Sequence, residues 1–230
     1  MRSLKQTLGL GIPLVLFVVA TATGALADLR AEWHMDETSG STMTDTSGHG
    51  NHGQISSTVT LGKPGIASGT AYGFNGIDSN VRVPTDNDSL DPFDQDITVT
   101  AWVRLVGPIQ DDSYDVVRKG LGSSAGGDWK LEIKNFRRLG AVGKLKCTFR
   151  GDVASVSKTA KPDIMDGAAH RLQCLKTPTQ VIAVVDGRQF KKTATAGTID
   201  NSAGAMVGAK TTTDDVFNGD LDEITVQIGP

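Results

Sequence analysis

Val99-Thr100-Ala101-Trp102-Val103-Arg104-Leu105 alternates, residue by residue, between an aliphatic side chain and one of another kind. Successive side chains of an extended chain point to opposite faces, so this stretch reads as a strand with one buried face. The same period of two recurs from Val181 to Asp186 and, less strictly, in Leu221-Asp222-Glu223-Ile224-Thr225-Val226-Gln227-Ile228. Turn signals separate such runs: Ser39-Gly40, Ser47-Gly48, Pro64-Gly65, Asn75-Gly76, Gly126-Gly127, Asp186-Gly187 and Asn218-Gly219. Asn-Gly and Asp-Gly supply the positive φ that tight hairpins need. About a dozen candidate strands emerge, with little helical periodicity between them. That is too many for one open sheet, so the fold class expected is all-β, a two-sheet antiparallel β-sandwich. Residues 106–115 and 120–128 are the longest irregular segments and are expected to form loops at one rim.

The N-terminus bears on the compartment. Arg2 and Lys5 precede an apolar run, Leu8 to Ala25, and Ala25-Leu26-Ala27 places small residues where a signal peptidase reads them. Residues 1–27 are therefore expected to be a signal peptide, and 28–230 one secreted, extracellular domain. The run is also about the length of a membrane span, so an uncleaved anchor is the alternative. Without residues 1–27 the chain carries 21 basic and 26 acidic residues, a net charge of −5. That balance argues against general nucleic-acid binding. Cys147 and Cys174 are the only cysteines, and an even pair in an oxidising compartment reads first as a disulfide. Two free or metal-binding thiols are the rival reading.

Six blocks, in order from about residue 29 to 228, resemble laminin-G-like jelly rolls of the concanavalin A-like lectin/glucanase superfamily. They are Trp33-His34-Met35-Asp36-Glu37-Thr38-Ser39-Gly40, Asp45 to Gly53, Phe74 to Pro84, Ile97 to Val103, Val184-Val185-Asp186-Gly187, and Asn218 to Ile224. The strands around the two cysteines look similar to those of exported actinobacterial-type members. The resemblance implies that these are neighbouring strands of one sheet, closed by Cys147–Cys174. One departure stands out: Ala169-His170 occupies the place where the family usually carries Trp-His, which removes a large apolar anchor.

The resemblance also implies a structural Ca²⁺ held by hard oxygen ligands, with Asp36, Asn75, Asp78 and Asp222 as the matching positions. The alternative is that Asp36, Asn75 and Asp78 make turn hydrogen bonds and Asp222 is a solvated strand residue. Asp45, in Asp-x-Ser-Gly, is expected to cap its own turn. His49 and His52, three apart in a Gly-rich loop, lack an identifiable third ligand and read as turn residues.

Catalytic signatures are scarce. The Glu-x-Asp-x-x-Glu arrangement of jelly-roll glucanases does not occur, nor do Gly-x-Ser-x-Gly or His-Glu-x-x-His. Asp128 and Glu132 share a face with Lys130 and Lys134, which reads as a solvated charged strand. For ligand binding the candidates are Trp129 and Tyr114 as exposed stacking rings beside the long loops, with Lys130 and Arg137. Their alternative is burial at strand starts. Trp33 and Trp102 are expected in the core. Basic residues gather between Lys130 and Arg150, and again at Arg188, Lys191 and Lys192; joined, they form a patch for acidic polysaccharide, and apart, a solvated sheet face. The function expected is a non-catalytic binding module for extracellular or cell-envelope carbohydrate. Alternatives are a protein-binding adhesion domain and a polysaccharide-degrading enzyme.

Overall fold

A computed structural model describes residues 26–84, 88–106, 112–136 and 142–229. Within them lie sixteen strands and no helix. In chain order these are β1 (Asp28–Trp33), β2 (Thr42–Met43), β3 (Gly53–Ile55), β4 (Thr60–Pro64), β5 (Thr70–Asn75), β6 (Val81–Val83), β7 (Ile97–Leu105) and β8 (Ser113–Lys119). Then follow β9 (Asp128–Asn135), β10 (Gly143–Arg150), β11 (Ser155–Thr159), β12 (Ala169–Lys176), β13 (Gln180–Val185), β14 (Arg188–Thr193), β15 (Ala205–Val207) and β16 (Asn218–Ile228). One sheet has the order β14-β13-β12-β7-β16-β5-β4, with β1 added on β16; the other runs β11-β10-β9-β8-β15-β6-β3-β2. All ladders between these strands are antiparallel. The expected two-sheet sandwich is what the chain forms.

The core lies between the β7 sheet and the β9 sheet. Val99, Ala101, Val103 and Leu105 of β7 point into it, together with Leu172 of β12 and Ile224 and Val226 of β16. From the other side come Trp129, Leu131 and Ile133 of β9 and Leu145 and Phe149 of β10. Burying each large aliphatic side chain stabilises by about 1.5–3 kcal/mol, and the alternation commits whole strands to one orientation.

Cys147 and Cys174 do form a disulfide, with Cα atoms 5.3 Å apart. Their strands are not neighbours in one sheet, however. Cys147 is on β10 and Cys174 on β12, so the bond crosses the core and staples the two sheets together. Both sulfurs point inward because both residues fall on the apolar phase of their strands.

Asp186 (φ 49°) and Gly187 (φ 80°) make the expected two-residue hairpin between β13 and β14. Asn218-Gly219 does not make a turn. It begins β16, and Gly219 pairs with both Phe74 and Leu105. A Cβ there would meet the Arg104 carbonyl oxygen at 2.2 Å, so glycine serves close strand approach. Ser113, Tyr114 and Asp115 belong to β8 rather than to a loop. Ala169 is exposed, so the absent tryptophan leaves no hole in the core. Trp33 is fully buried and donates to the Asn51 carbonyl at 2.8 Å, whereas Trp102 lies half-buried on the outer face of the β7 sheet, opposite Arg171 and Asp222. Among the described residues no helix is long and apolar enough to cross a membrane; the apolar run Leu8 to Ala25 lies outside them.

Candidate functional site

With Trp129, Leu131 and Ile133 facing the core, Asp128, Lys130, Glu132 and Lys134 must face outward on β9. The same phase on β10 sends Lys144, Lys146, Thr148 and Arg150 to the outer face. The register then sets Arg150 opposite Asp128, Thr148 opposite Lys130, and Lys146 opposite Glu132. On β8 a bulge between Asp115 and Val117 brings Asp115 opposite Glu132 and Arg118 opposite Lys130. Between β9 and β10 two of these neighbours are of opposite charge, Arg150 with Asp128 and Lys146 with Glu132.

This outer face is a groove of about 440 Å³, not a solvated plane. Its floor is Asp128, Lys130, Glu132, Lys146, Thr148 and Arg150, and Lys210 and Asp215 help to line it. A smaller basin of about 210 Å³ adjoins it, sharing Arg118 and Lys210 and lined by Pro84, Leu121, Ala203 and Met206. Glu132 is 1% exposed and Asp115 0%, which overturns the expectation of a solvated charged strand.

Ion pairs fill the floor. Lys130 Nζ is 2.7 Å from one Glu132 carboxylate oxygen and Lys146 Nζ 2.9 Å from the other. Arg118 Nη1 donates to Asp115 Oδ2 at 2.6 Å, and Arg150 Nε to Asp128 Oδ1 at 2.6 Å. Arg150 also donates to the Leu121 and Ser124 carbonyls at 2.8 Å, pinning the loop before β9 to the groove. Burial raises the Glu132 carboxyl, but Lys130 and Lys146 outweigh it and hold the group below the ordinary glutamate value. For Asp115, burial prevails over Lys130 and Arg118, so its carboxyl titrates above the ordinary value. Asp115 lies beneath the lining: its Oδ1 is buried without a hydrogen bond, 3.8 Å from Lys130 Nζ. The Thr148 hydroxyl, in the lining itself, is likewise buried without a partner.

Of the residues expected to bind ligand, Lys130 lines this groove. Trp129 and Tyr114 do not offer stacking faces. Trp129 is 0% exposed and donates to the Leu90 carbonyl at 3.0 Å. Tyr114 is 1% exposed and packs edge-on against Phe217, with ring centroids 5.8 Å apart. Both fall on the inward phase of their strands. Arg137 lies outside the described residues. The second basic group, Arg188, Lys191 and Lys192, sits on β14 of the other sheet and does not extend the groove.

The four expected calcium ligands are not gathered in one place. Asn75 Oδ1 accepts from the backbone of Ile77, Asp78 and Ser79, and its Nδ2 donates to Asp78 Oδ1, closing their own turn. Asn75 is opposite Asn218, four residues along β16 from Asp222, or about 13 Å at strand rise. Asp36 and Asp222, by contrast, hold one turn together. Asp222 Oδ2 accepts from Ile66, Ala67 and Ser68, and Asp36 Oδ1 accepts from Thr70 at 2.6 Å. Asp222 Oδ1 is buried and has no hydrogen-bond partner. Burial, against those three donors, raises the Asp222 carboxyl. Asp45 caps its turn as expected, accepting from Glu32, Ser47 and Asn51. His52 Nδ1 accepts the Asp45 backbone N–H at 3.0 Å, a turn role.

A family profile for the concanavalin A-like lectin/glucanases superfamily, laminin G type, matches residues 75–227. The chain belongs to this laminin-G-like family. The laminin-G-like profile leaves out the two N-terminal blocks. No curated protein sequence matches the chain. Among solved structures, domain 4 of an extracellular GH43 arabinanase (AbnA) from Geobacillus stearothermophilus, in complex with arabinotriose, has TM-score 0.62 at 20% identity, covering 88% of this chain and 93% of that one. The binding domain of botulinum neurotoxin DC in complex with SialylT has TM-score 0.64 at 13% identity, covering 88% of this chain. This chain spans only 48% of that binding domain. At these identities the likeness is one of fold.

Proposed function

We propose that this laminin-G-like domain is an exported, secreted binding module for extracellular or cell-envelope carbohydrate, seated in the groove across β8, β9 and β10. The observation that carries this reading is the groove floor, where polar and charged side chains converge on a concave surface of the size a short glycan occupies. Structural neighbours solved in complex with arabinotriose and with SialylT support it at the level of fold. A protein-binding surface would instead present a broad apolar patch; among the described residues the exposed large apolar ones, Leu26, Ile77, Phe93, Val106, Leu121 and Val153, stand on separate segments. A hydrolytic site would need two carboxyls open to one cleft. Asp128 and Glu132 do line the groove together, but Asp128 is paired with Arg150. Glu132, paired with Lys130 and Lys146, is held below the ordinary glutamate value, the opposite of what a general acid needs, so binding is the reading this geometry favours.

Calcium, as we read it, belongs at the turn shared by Asp36 and Asp222, where Asp222 Oδ1 offers a buried unpartnered oxygen. Asn75 and Asp78 are not part of that set. The ion there would tie β16 to the turn before β5.

A glycan array and polysaccharide pulldown with the full chain test the binding function. Retention on at least one glycan, weakened by Arg150→Ala, is expected. Capture of an envelope protein with no glycan retained would defeat it.

A further inference from the structure

We infer that the groove selects uncharged glycan, recognised through its hydroxyl groups, and not the acidic polysaccharide that a basic cluster would suit. This rests on the carbohydrate reading above and specifies its ligand class. Arg118, Lys130, Lys146, Arg150 and Lys210 each lie within 2.9 Å of a carboxylate oxygen. Five of the six cations in the lining, all but Lys134, are thus answered by the protein's own carboxylates. A sulfate or uronate entering the groove meets Asp128, Glu132 and Asp215 in the same lining, and like charges brought together there oppose binding. Pulling Arg118, Lys130, Lys146 or Arg150 away would weaken the pairing of a buried carboxylate, whereas the Lys210–Asp214 pair is exposed.

A sugar hydroxyl faces no such conflict. It donates to a carboxylate on one side and accepts from an ammonium or guanidinium on the other, making charge-assisted bonds without separating the ion pairs. The register places a cationic donor beside a carboxylate acceptor at two positions of the floor: Arg150 with Asp128, and Lys146 with Glu132. Thr148 adds an independent observation. Its residue is 9% exposed, it lines the groove, and its Oγ1 has no partner. A buried polar group left unsatisfied is costly, and a ligand hydroxyl that reaches it removes that cost. The adjoining basin supplies Pro84, Leu121, Ala203 and Met206 for the apolar C–H face of a neighbouring sugar unit.

The experiment is a titration of the full chain with neutral arabinan, xylan and β-glucan fragments, and with heparin and polygalacturonate fragments, at low and high salt. A neutral fragment should bind with an affinity that changes less than about twofold with salt. Thr148→Val should weaken that binding about five- to tenfold without lowering the melting temperature, because the hydroxyl has no partner to lose and its removal ends the cost of burying it unsatisfied. Binding confined to the polyanions and abolished by salt would overturn the neutral-glycan inference while leaving the carbohydrate function standing. Neutral binding indifferent to Thr148→Val would also overturn it. Failure to bind either class would remove the carbohydrate function and this inference with it.

Discussion

The two sheets carry the same pattern on their inner faces and behave differently on their outer ones. On the β7 sheet, the outward residues Thr98, Trp102 and Arg104 are half-buried, and Asp220 pairs with Lys63 and Arg104, each about a third exposed. On the β9 sheet, Asp115, Arg118, Asp128 and Glu132 are sunk below the surface, and Lys130, at 17% exposed, covers two of them. Alternation alone assigns outward residues to solvent. Covering segments decide whether they reach it: the turn at Ile66–Ser68 closes over Asp222 on the β7 sheet, and Arg150 draws the loop carrying Leu121 and Ser124 over the β9 face. The candidate function lies where outward charges of both signs are sunk along one groove.

The strongest way to disturb the relation between the sheets is to cut the bond joining them. Replacing Cys147 and Cys174 together with alanine removes a staple with a sequence separation of 27 residues and should cost about 3–4 kcal/mol, read by urea unfolding under oxidising conditions. A loss below about 1 kcal/mol would mean that the packed faces alone hold the sheets in register.

Next comes a direct contrast between the outer faces. Glu132 and Asp220 are both 1% exposed and each bridges two cations. Glu132→Ala strands Lys130 and Lys146 inside the groove and should cost about 3 kcal/mol. Asp220→Ala leaves Lys63 and Arg104 free to turn into water, and a cost of about 1–2 kcal/mol is expected. Equal losses in parallel denaturant titrations would show that the two faces do not differ in solvation.

Much of this contrast was hidden in the sequence for physical reasons. Strand phase was legible: Trp129-Lys130-Leu131-Glu132-Ile133-Lys134 is a clean alternation, and it correctly separates core from outer face. The depth of Glu132 was not, because it depends on loops distant in sequence, such as the one carrying Lys210 and Asp215. Asp115 and Arg118 could not be paired with β9 from spacing, since the bulge in β8 shifts the register between them. Trp129 and Tyr114 stand beside long loops in sequence, which leaves exposure and burial both open, and strand phase decides for burial. The cysteines could be paired by count, but the sheet each strand joins is a long-range property. Asn218-Gly219 shows that a turn dipeptide can serve close approach instead.

Calcium gives a third test, confined to the β7 sheet. If Asp36 and Asp222 bind the ion, EDTA should lower the melting temperature by about 2–4 °C, since a ligand that binds only the folded chain adds stability by mass action. Asp222→Asn should abolish that response, whereas Asn75→Ala should not. An unchanged melting curve in EDTA removes calcium from the domain, and the binding groove, on the opposite sheet, is unaffected by that outcome.

The smallest expected effect separates the sheets by pH. All four histidines lie outside the groove lining. For His170, burial lowers the imidazole value, but hydrogen bonds to Asp186 at 2.8 Å and Asp166 at 2.9 Å outweigh it and raise it. His34 is raised mainly by its hydrogen bond to Glu223. A raised folded value means that the protonated form stabilises: the contribution is full below about pH 6.5 and is lost as pH climbs through the folded value. The melting temperature should therefore fall by about 1–3 °C between pH 6 and 8.5, the size expected of surface ion pairs, and His34→Asn with His170→Asn should flatten the curve. Glycan affinity should stay level over the same range, because Glu132 is held below the ordinary glutamate value and no histidine lines the groove. An affinity that follows the histidine titration would couple the two sheets, and the groove could no longer be treated as independent of the face behind it.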